Sequence, residues 1–329
     1  MMISNKLKKG DEVRIIAPAR SMIILGEDCK QLATKRLEEL GLKVSFGKYL
    51  METDEDYVSA SVEHRAEDLN EAFADKNVKA ILTVIGGFNS NQILKYIDYE
   101  NIKNNPKILC GFSDITAVLD SIYAKTGLVT YYGPHYSSFG MKKGFEYELE
   151  YFIKMFFEDK PIEIKSSEEW SNDPWFIDQE NREFIKNDGM FVINEGKAEG
   201  TIVGGNLCTL NLLHGTEYMP DLKDSILFLE DDGMADKAFM WEFDRNLQSL
   251  IMQKDFDKVK GIVLGRAEKN SQMDDRKWIK LIKSKPELNS IPVIAGADFG
   301  HTTPIFTFPI GGKVKLEAKQ NKIELIIEG

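Results

Sequence analysis

The chain has 329 residues with 42 basic and 53 acidic side chains, which gives a formal net charge of −11. Hydrophobic residues form 43% and charged residues 29% of the chain, a composition that excludes disorder and suits about two globular domains. The acidic balance disfavours a nucleic-acid polymer as partner, and the apolar runs fall short of the ~20 residues that span a bilayer. Since the N-terminus also lacks the pattern of a secretory signal, we expect a cytoplasmic protein that does not bind membranes.

Strands and helices alternate in the predicted first part of the chain. Strands are predicted at residues 13–17, 44–46, 80–85 and 108–110, and helices at 29–40, 62–74, 92–96 and 115–122. Such alternation is typical of a mostly parallel sheet with right-handed crossovers. We therefore predict an α/β fold that begins with a flavodoxin- or Rossmann-like parallel-sheet domain.

The middle of the chain differs, because a predicted helix at 146–157 is followed by the polar stretch 161–194, which we interpret as a linker and a long functional loop. Regular elements resume after Gly200 in a mixed α/β domain, whose last two strands are expected to form a hairpin or a small β-barrel-like sheet. The predicted strands here are 225–229, 261–264, 291–295, 313–317 and 322–327, and the predicted helices are 241–252 and 276–282. The predicted division is 1–158 for the N-terminal domain, 159–199 for the linker and substrate loop, and 200–329 for the C-terminal domain.

Cysteine is scarce and widely spaced, at Cys29, Cys110 and Cys208. This leaves little material for a disulfide framework or a zinc cluster. Cys110 ends an apolar run, which favours a buried, inert thiol over a catalytic one.

Two predicted strand ends carry patterns that suit a ligand site, since ligands bind at the carboxyl ends of strands in open α/β sheets. At 85–91, paired glycines can expose N–H groups to a ligand, although a tight turn with a helix cap is the alternative. At 110–115, Ser113 has the placement of a nucleophile elbow, whose following N–H can stabilise an oxyanion. A helix-capping serine is the alternative here, because Ile115 replaces the second glycine of that motif.

A nucleophilic serine needs a base, and the chain offers four histidines. His64 suits a solvated helix face, His135 could line the cleft, and His214 suits a core or helix-capping position. His301 follows a predicted strand in a glycine-flanked loop, where functional side chains tend to lie. Glu230 ends another apolar strand and could orient the imidazole, while solvated loop acids or a magnesium site are the alternatives.

These motifs together resemble those of the LD-carboxypeptidase family of serine peptidases, over nearly the whole chain from Val13 to the C-terminal strands. They are, in chain order, Gly86–Asn91, Gly111–Asp114, Gly204–Asn206, Phe228–Asp231, Gly265–Arg266 and Gly300–His301. Within the family, residues 170–175, 178–182 and 243–248 are similar to the microcin C immunity (MccF) branch. The murein-recycling branch has Arg-Gly-Gly-Tyr at the first motif, where this chain has Ile85-Gly-Gly-Phe88.

The resemblance implies a Ser-His-Glu triad, in which Ser113 is the nucleophile, His301 the general base and Glu230 its orienter. It also implies an oxyanion hole formed by the backbone N–H groups of Gly87 and Asp114. The further residues that it implies as substrate contacts are Gly86, Trp170, Trp175, Asn206 and Glu268. The two tryptophans would be a platform for a nucleobase, with loop anchoring as the alternative. The family uses no metal and no cofactor, and the resemblance implies a homodimer.

Three functions follow as hypotheses. The favoured one is hydrolysis of the amide or acyl linkage in a peptidyl or aminoacyl nucleotide, as in resistance to microcin C-like toxins. The second is a carboxypeptidase that releases the terminal D-alanine from a murein tetrapeptide. The third is a small-molecule binding protein that keeps the fold without the chemistry.

Overall fold

The strands of the computed structural model, which describes residues 1–328, form two large sheets and a small one. They are β1 (Glu12–Ile16), β2 (Lys43–Phe46), β3 (Val78–Thr83), β4 (Ile108–Gly111), β5 (Thr130–Tyr132), β6 (Ile162–Glu163), β7 (Glu169–Trp170), β8 (Ile185–Lys186), β9 (Phe191–Asn194), β10 (Gly196–Asn206), β11 (Ser225–Glu230), β12 (Gly261–Gly265), β13 (Val293–Ala297), β14 (Phe308–Ile310), β15 (Lys313–Lys319) and β16 (Lys322–Ile327). The α-helices of the same residues are α1 (Glu27–Glu39), α2 (Val62–Ala74), α3 (Tyr99–Asn104), α4 (Thr116–Thr126), α5 (Glu146–Phe157), α6 (Leu207–Asn211), α7 (Phe239–Ile251) and α8 (Asp275–Lys283).

The first sheet has the strand order β14-β5-β4-β3-β1-β2. Strands β1 to β5 run parallel to one another, and β14 is antiparallel to β5. The parallel part confirms the predicted N-terminal α/β region. Helix α2 matches its prediction because both of its signals are local: Ser61 caps it by accepting a hydrogen bond from His64 N at 3.2 Å, and Leu69 and Phe73 lie buried on one face.

The second sheet is mixed and has the order β6-β16-β15-β10-β11-β12-β13-β9. Strands β10 to β13 are parallel, while β6, β9, β15 and β16 pair antiparallel with their neighbours. A single residue, Glu195, joins the edge strand β9 to β10 inside the sheet. The sheet therefore has to curl, which agrees with the barrel-like sheet expected for the C-terminal domain.

The stretch 161–194 differs from the predicted linker and loop, because it contains the short strands β6 to β9. β6 pairs with β16 and β9 pairs with β13, and most of the paired residues are more than a hundred positions apart. Patterns among neighbouring residues do not reveal such pairings. Local patterns likewise predict neither β10 nor β14, and the helix predicted at 92–96 is a 3₁₀ helix, Ser90–Tyr96. The division at residues 158 and 199 stays a prediction.

An aromatic cluster packs where the two large sheets meet. Phe308 of β14 stacks on Tyr132 of β5 at a centroid distance of 4.7 Å and lies 4.8 Å from Phe228 of β11. Phe299 contacts the same ring at 5.2 Å. Such pairs add to the stability gained by burying large apolar rings. The cluster therefore fixes the segment from Phe299 to Phe308, which includes His301, against both sheets. Among the described residues, no helix has both the length and the apolar character that crossing a membrane requires.

Candidate active site

Ser113 begins the turn between β4 and α4. Its φ of 61° lies in the left-handed region, which a residue with a side chain rarely adopts, so the turn is strained. A sharp strand-to-helix turn of this kind presents the serine at the edge of the sheet. Gly86, in the loop after β3, leaves room for it, since a Cβ on Gly86 would lie 2.9 Å from Ser113 Cβ. The glycine motif and the serine motif therefore meet in space.

His301 lies between Ser113 and Glu230. Its Nε2 is 2.9 Å from Ser113 Oγ, and its Nδ1 is 2.8 Å from Glu230 Oε2. In this arrangement the imidazole can accept the serine proton at Nε2 while Nδ1–H donates to the carboxylate. The structure thus brings together the three residues that the sequence motifs single out, although Ser113 and His301 are 188 positions apart.

Glu230 is held in one orientation at the buried end of β11. The Tyr132 hydroxyl donates a hydrogen bond to Glu230 Oε1 at 2.9 Å, and His301 occupies Oε2. Gly300, which has a φ of +115°, passes close by, since a Cβ on it would lie 2.9 Å from Glu230 Oε2. A larger residue at position 300 would therefore displace either the carboxylate or the histidine loop.

The charge around His301 sets its proton affinity. Burial by itself would lower the pKa of His301, but the surrounding carboxylates, Glu230 foremost, together outweigh burial and raise this pKa to about 9. Asp232 and Glu268 act in the same direction, with smaller effects. At pH 7 the imidazole is therefore mostly protonated in the resting state, and it must lose that proton before it can act as a base.

The predicted oxyanion hole consists of the backbone N–H groups of Gly87 and Asp114. The Asp114 carboxylate accepts hydrogen bonds from the N–H groups of Asn89 and Ser90 at 3.0 and 2.9 Å. Ser90 Oγ donates in return to the Asp114 carbonyl oxygen at 2.6 Å. These bonds tie the glycine loop to the serine turn. Their role in binding an oxyanion stays a prediction.

A cavity of about 570 Å³ lies over Ser113 and His301. Its lining includes the glycine loop, the serine turn, residues 171–176, residues 300–303 and Ile305. This volume falls in the range of about 300–1,000 Å³ that is usual for small-molecule sites. The cavity can therefore hold a substrate of the size of a nucleotide or a short peptide.

The two predicted tryptophans lie in different environments. Trp175 lines the cavity, whereas Trp170 lies outside its lining, with the Arg266 guanidinium 4.9 Å from its ring centroid. The segment between them is fastened to the histidine loop, because Ser171 and Thr303 exchange backbone hydrogen bonds of 2.7 and 3.0 Å. The predicted nucleobase platform is thus compatible with Trp175, and Trp170 has the surroundings of a loop anchor.

Two further predicted substrate contacts, Glu268 and Asn206, differ in whether they line the cavity. Glu268 lines the cavity and accepts a hydrogen bond from Gly233 N, and burial raises the pKa of its carboxyl. Asn206 is buried outside the cavity lining, where its side chain caps α6 by accepting from Thr209 N at 3.1 Å. Its other side-chain atom donates to Asp231 Oδ1 at 3.3 Å. For Asn206, helix capping is the role that the geometry supports.

The remaining histidines and Cys110 have structural surroundings. His135 is buried and lines the cavity, and its Nδ1 is 2.7 Å from Thr83 Oγ1. Burial lowers the pKa of His135 to about 3, and His301 acts in the same direction with a smaller effect. His64 pairs with Glu52 on a half-exposed helix face. His214 Nδ1 is 3.2 Å from Ser249 Oγ. Burial raises the pKa of the fully buried Cys110 thiol, as expected for an inert cysteine.

Two cavity residues, Arg20 and Glu148, are missed by the sequence patterns. Arg20 follows β1, and the only available signal is that β1 ends at the same sheet edge as the strands before Gly86 and Ser113. Glu148 lies on α5 with 1% of its surface exposed, and its Oε2 has no hydrogen-bond partner within residues 1–328. Burial raises the pKa of Glu148 to about 8. An acidic residue on an amphipathic helix is normally exposed, so no local signal identifies it.

The acids after Glu230 do not fit the alternative of a magnesium site well. Cys208, Asp231 and Asp232 bring three possible ligand atoms within 4.8 Å of one another in the described part of the chain. A thiol is a poor ligand for Mg²⁺, and burial raises the pKa of Cys208, which keeps it protonated. Its Sγ donates to Asn206 Oδ1 at 3.0 Å instead. The absence of a metal from the reaction stays a prediction.

Comparison with known proteins places these features in a family. A family model described as the LD-carboxypeptidase N-terminal domain matches residues 13–133, and one described as the LD-carboxypeptidase C-terminal domain matches residues 199–316. The first match contains Ser113, and the second contains Glu230 and His301. The candidate site is therefore assembled from both matched regions.

Several solved structures are similar over their full length. An MccF-like protein from Bacillus anthracis str. Ames has a TM-score of 0.98 and 54% identity, with 99% of both chains covered. The microcin C7 self-immunity protein MccF of Escherichia coli is 32% identical over 98% of this chain and 95% of its own. A structure of MccF in complex with aspartyl sulfamoyl adenosine has a TM-score of 0.87 and 30% identity, over 100% of this chain and 99% of that one. The muramoyltetrapeptide carboxypeptidase from Oxalobacter formigenes has a TM-score of 0.77 and 26% identity, over 97% and 99% of the two chains.

Proposed function

Because the chain belongs to the LD-carboxypeptidase family of serine-type peptidases, we propose that it hydrolyses the amide or acyl linkage of a peptidyl or aminoacyl nucleotide of the microcin C type. The family identifies the protein as a serine-type hydrolase, which leaves the non-catalytic binding protein without support. The observation that carries the substrate proposal is the position of Trp175 in the same cavity as Ser113 and His301.

In the first half of the reaction, Ser113 Oγ attacks the carbonyl carbon of the scissile bond. His301 Nε2 takes the serine proton as the new C–O bond forms, and Glu230 stabilises the resulting imidazolium through Nδ1–H. The carbonyl oxygen becomes an oxyanion, for which the N–H groups of Gly87 and Asp114 are the proposed donors. These donors are preorganised, because the bonds between Asp114 and the glycine loop hold both loops in place.

In the second half, the tetrahedral intermediate collapses and the bond to the leaving group breaks. His301 Nε2–H gives its proton to the leaving atom, and the acyl group stays on Ser113 as an ester. A water molecule then attacks this ester while His301 takes its proton, and the acid is released with Ser113 restored. The net reaction adds one water across the scissile bond.

Trp175 is the proposed platform for the nucleobase, since an aromatic ring stacks on any base and contributes ~1–3 kcal/mol. The complex of MccF with aspartyl sulfamoyl adenosine supports this class of ligand for a relative with the same fold. Trp170 offers a matched control within the same loop, because its ring packs under Arg266 outside the cavity lining.

The test uses purified enzyme and an aminoacyl sulfamoyl adenosine as substrate. Ser113→Ala is expected to abolish hydrolysis while it keeps binding, because it removes the nucleophile and leaves the cavity. Trp175→Ala is expected to raise KM about tenfold or more, and Trp170→Ala to change it much less. Near-normal turnover by Ser113→Ala, or equal effects of the two tryptophan variants, would contradict the proposal.

Removal of the terminal D-alanine from a murein tetrapeptide is the second candidate. The similarity to a muramoyltetrapeptide carboxypeptidase over nearly the full length of both chains favours it. Assaying the two substrates side by side separates the candidates, since Trp175→Ala should impair only the reaction with the nucleotide. A tetrapeptide reaction faster than the nucleotide reaction, and insensitive to Trp175, would decide for the murein substrate.

The expected homodimer and the cytoplasmic location remain predictions. Light scattering coupled to size-exclusion chromatography would test the first, with a mass of twice 37.4 kDa as the expected result. Fractionation of cells that express the tagged protein would test the second.

A further inference from the structure

The charges that line the cavity are unequal in number. Among the described residues, its lining contains a single arginine or lysine, Arg20, together with the acidic residues Glu148, Asp173, Asp232 and Glu268. The His301 imidazolium is the other positive group of the lining, but it is paired with Glu230. Arg20 is therefore the cation of this wall that a negative charge on a substrate can bind without competing with a carboxylate of the triad.

Arg20 adjoins the predicted oxyanion hole. Its backbone N–H donates to the Gly86 carbonyl oxygen at 3.4 Å, and its Cγ would lie 3.3 Å from a Cβ on Gly87. The guanidinium carbon is 4.8 Å from the centroid of the Phe88 ring, which supports it from one side. The cation is thus held next to the loop whose N–H group is proposed to receive the oxyanion.

The guanidinium of Arg20 has no carboxylate within ion-pair distance in residues 1–328. Two arginines near the substrate loop differ in this respect, because Arg182 pairs with Asp173 and Arg266 pairs with Asp298. A guanidinium that faces a cavity and retains its donors can bind a carboxylate or phosphate with two parallel hydrogen bonds. Arg20 is therefore free to bind a ligand, whereas Arg182 and Arg266 are committed to the fold.

We propose that Arg20 binds the anionic group on the leaving half of the substrate, and so selects substrates that carry a negative charge close to the scissile bond. This inference rests on the proposed function. Both candidate substrates meet the requirement, because a C-terminal amino acid carries its carboxylate two bonds beyond the scissile nitrogen, and a nucleotide linked through nitrogen carries its phosphate one bond beyond. Arg20 is a specificity-determining residue in either case.

The test measures binding to full-length Ser113→Ala protein, so that turnover does not enter. One arm compares AMP with adenosine, and the other compares a murein tetrapeptide ending in D-alanine with the same peptide ending in D-alaninamide. Each ligand is titrated against Ser113→Ala alone and in combination with Arg20→Gln or Arg20→Lys. Lys322→Gln, at the exposed start of β16, removes one positive charge outside the cavity lining and is the matched control.

With Arg20 present, the charged ligand of at least one arm is expected to bind about tenfold to a hundredfold more tightly than its neutral partner. Arg20→Gln should remove that preference without weakening the neutral ligand, Arg20→Lys should keep part of it, and Lys322→Gln should keep all of it. A thermal melt of each variant verifies folding. If Arg20→Gln retains the preference for the charged ligand, the inference is wrong while the proposed function stands. If no ligand of either arm binds, the proposed function fails, and the inference fails with it.

Discussion

The pH dependence of the reaction gives the sharpest test of the site. Glu230 holds the pKa of His301 at about 9, whereas the usual value is about 6.5. Because the general base must be neutral, about 1% of the free enzyme is ready to react at pH 7. We therefore expect kcat/KM to rise about tenfold per pH unit below pH 9, and to level off above it.

Glu230→Gln removes the carboxylate that raises this pKa and keeps an acceptor for the Tyr132 hydroxyl. The pKa of His301 should then fall by about 2, because burial is opposed only by the smaller effects of Asp232 and Glu268, and a change of this size corresponds to ~3 kcal/mol of interaction. The rising limb of the pH profile should move to lower pH by the same amount. Its plateau should drop about 10³- to 10⁴-fold, since the imidazolium is neither oriented nor stabilised.

The assay is kcat/KM from pH 5 to 10, combined with an NMR titration of the His301 ring in the Ser113→Ala protein. Asp232→Asn is the matched control, because Asp232 raises the same pKa with a smaller effect and should shift the limb less than Glu230→Gln. The ion pair also stabilises the folded state below about pH 6.5, and this stabilisation is lost as the pH rises through about 9. A profile that is flat between pH 7 and 9, or a limb that Glu230→Gln leaves in place, would refute the reasoning.

Three further predictions concern single side chains. Gly86→Ala should lower kcat/KM about a hundredfold or more, because the new Cβ would lie 3.0 Å from Ser113 Oγ and displace the nucleophile. Kinetics should show this loss, and a thermal melt should show little change in Tm. Glu148→Gln should stabilise the protein at pH 9, by at most about 5 kcal/mol, and hardly at pH 4.5. The reason is that a carboxyl with a pKa near 8 in the folded state costs stability as the pH rises between those values, and melts at both pH values test the sign. Arg182→Met should raise KM and expose residues 171–183 to thermolysin, because it leaves Asp173 unpaired; unchanged cleavage would contradict it.

Much of the fold follows from local signals in the sequence. Helix α2 and strand β11 lie within one residue of their predicted limits, because a capping serine, a buried helical face and an apolar run are all properties of neighbouring residues. The strands of the stretch 161–194 were beyond such reasoning. β6 exists because β16 offers it a partner, and an isolated two-residue segment has no propensity that would reveal the pairing.

The candidate site divides along the same line. Ser113, Glu230 and His301 are predictable as candidates because each ends or follows an apolar strand, where ligands bind in α/β sheets. Their meeting is not a local property, because Ser113 follows a strand of the first sheet while Glu230 and His301 end or follow strands of the second. Spacing alone does not distinguish Trp175 from Trp170, since the bridge between Ser171 and Thr303 decides which ring reaches the cavity. Arg20 and Glu148 belong to no motif. Only the fold shows that the Arg20 guanidinium lacks a carboxylate partner and that Glu148 Oε2 lacks a hydrogen-bond partner within residues 1–328.

Strand β14 links the first sheet to the catalytic base. It completes that sheet beside β5, although it follows the strands of the second sheet up to β13 along the chain. Only six residues separate His301 from β14, so the pairing of β14 with β5 also limits how far His301 can lie from Ser113. A serine without its base is a weak nucleophile. An edge strand outside the cavity lining thus contributes to the reactivity of Ser113 through a tether of six residues.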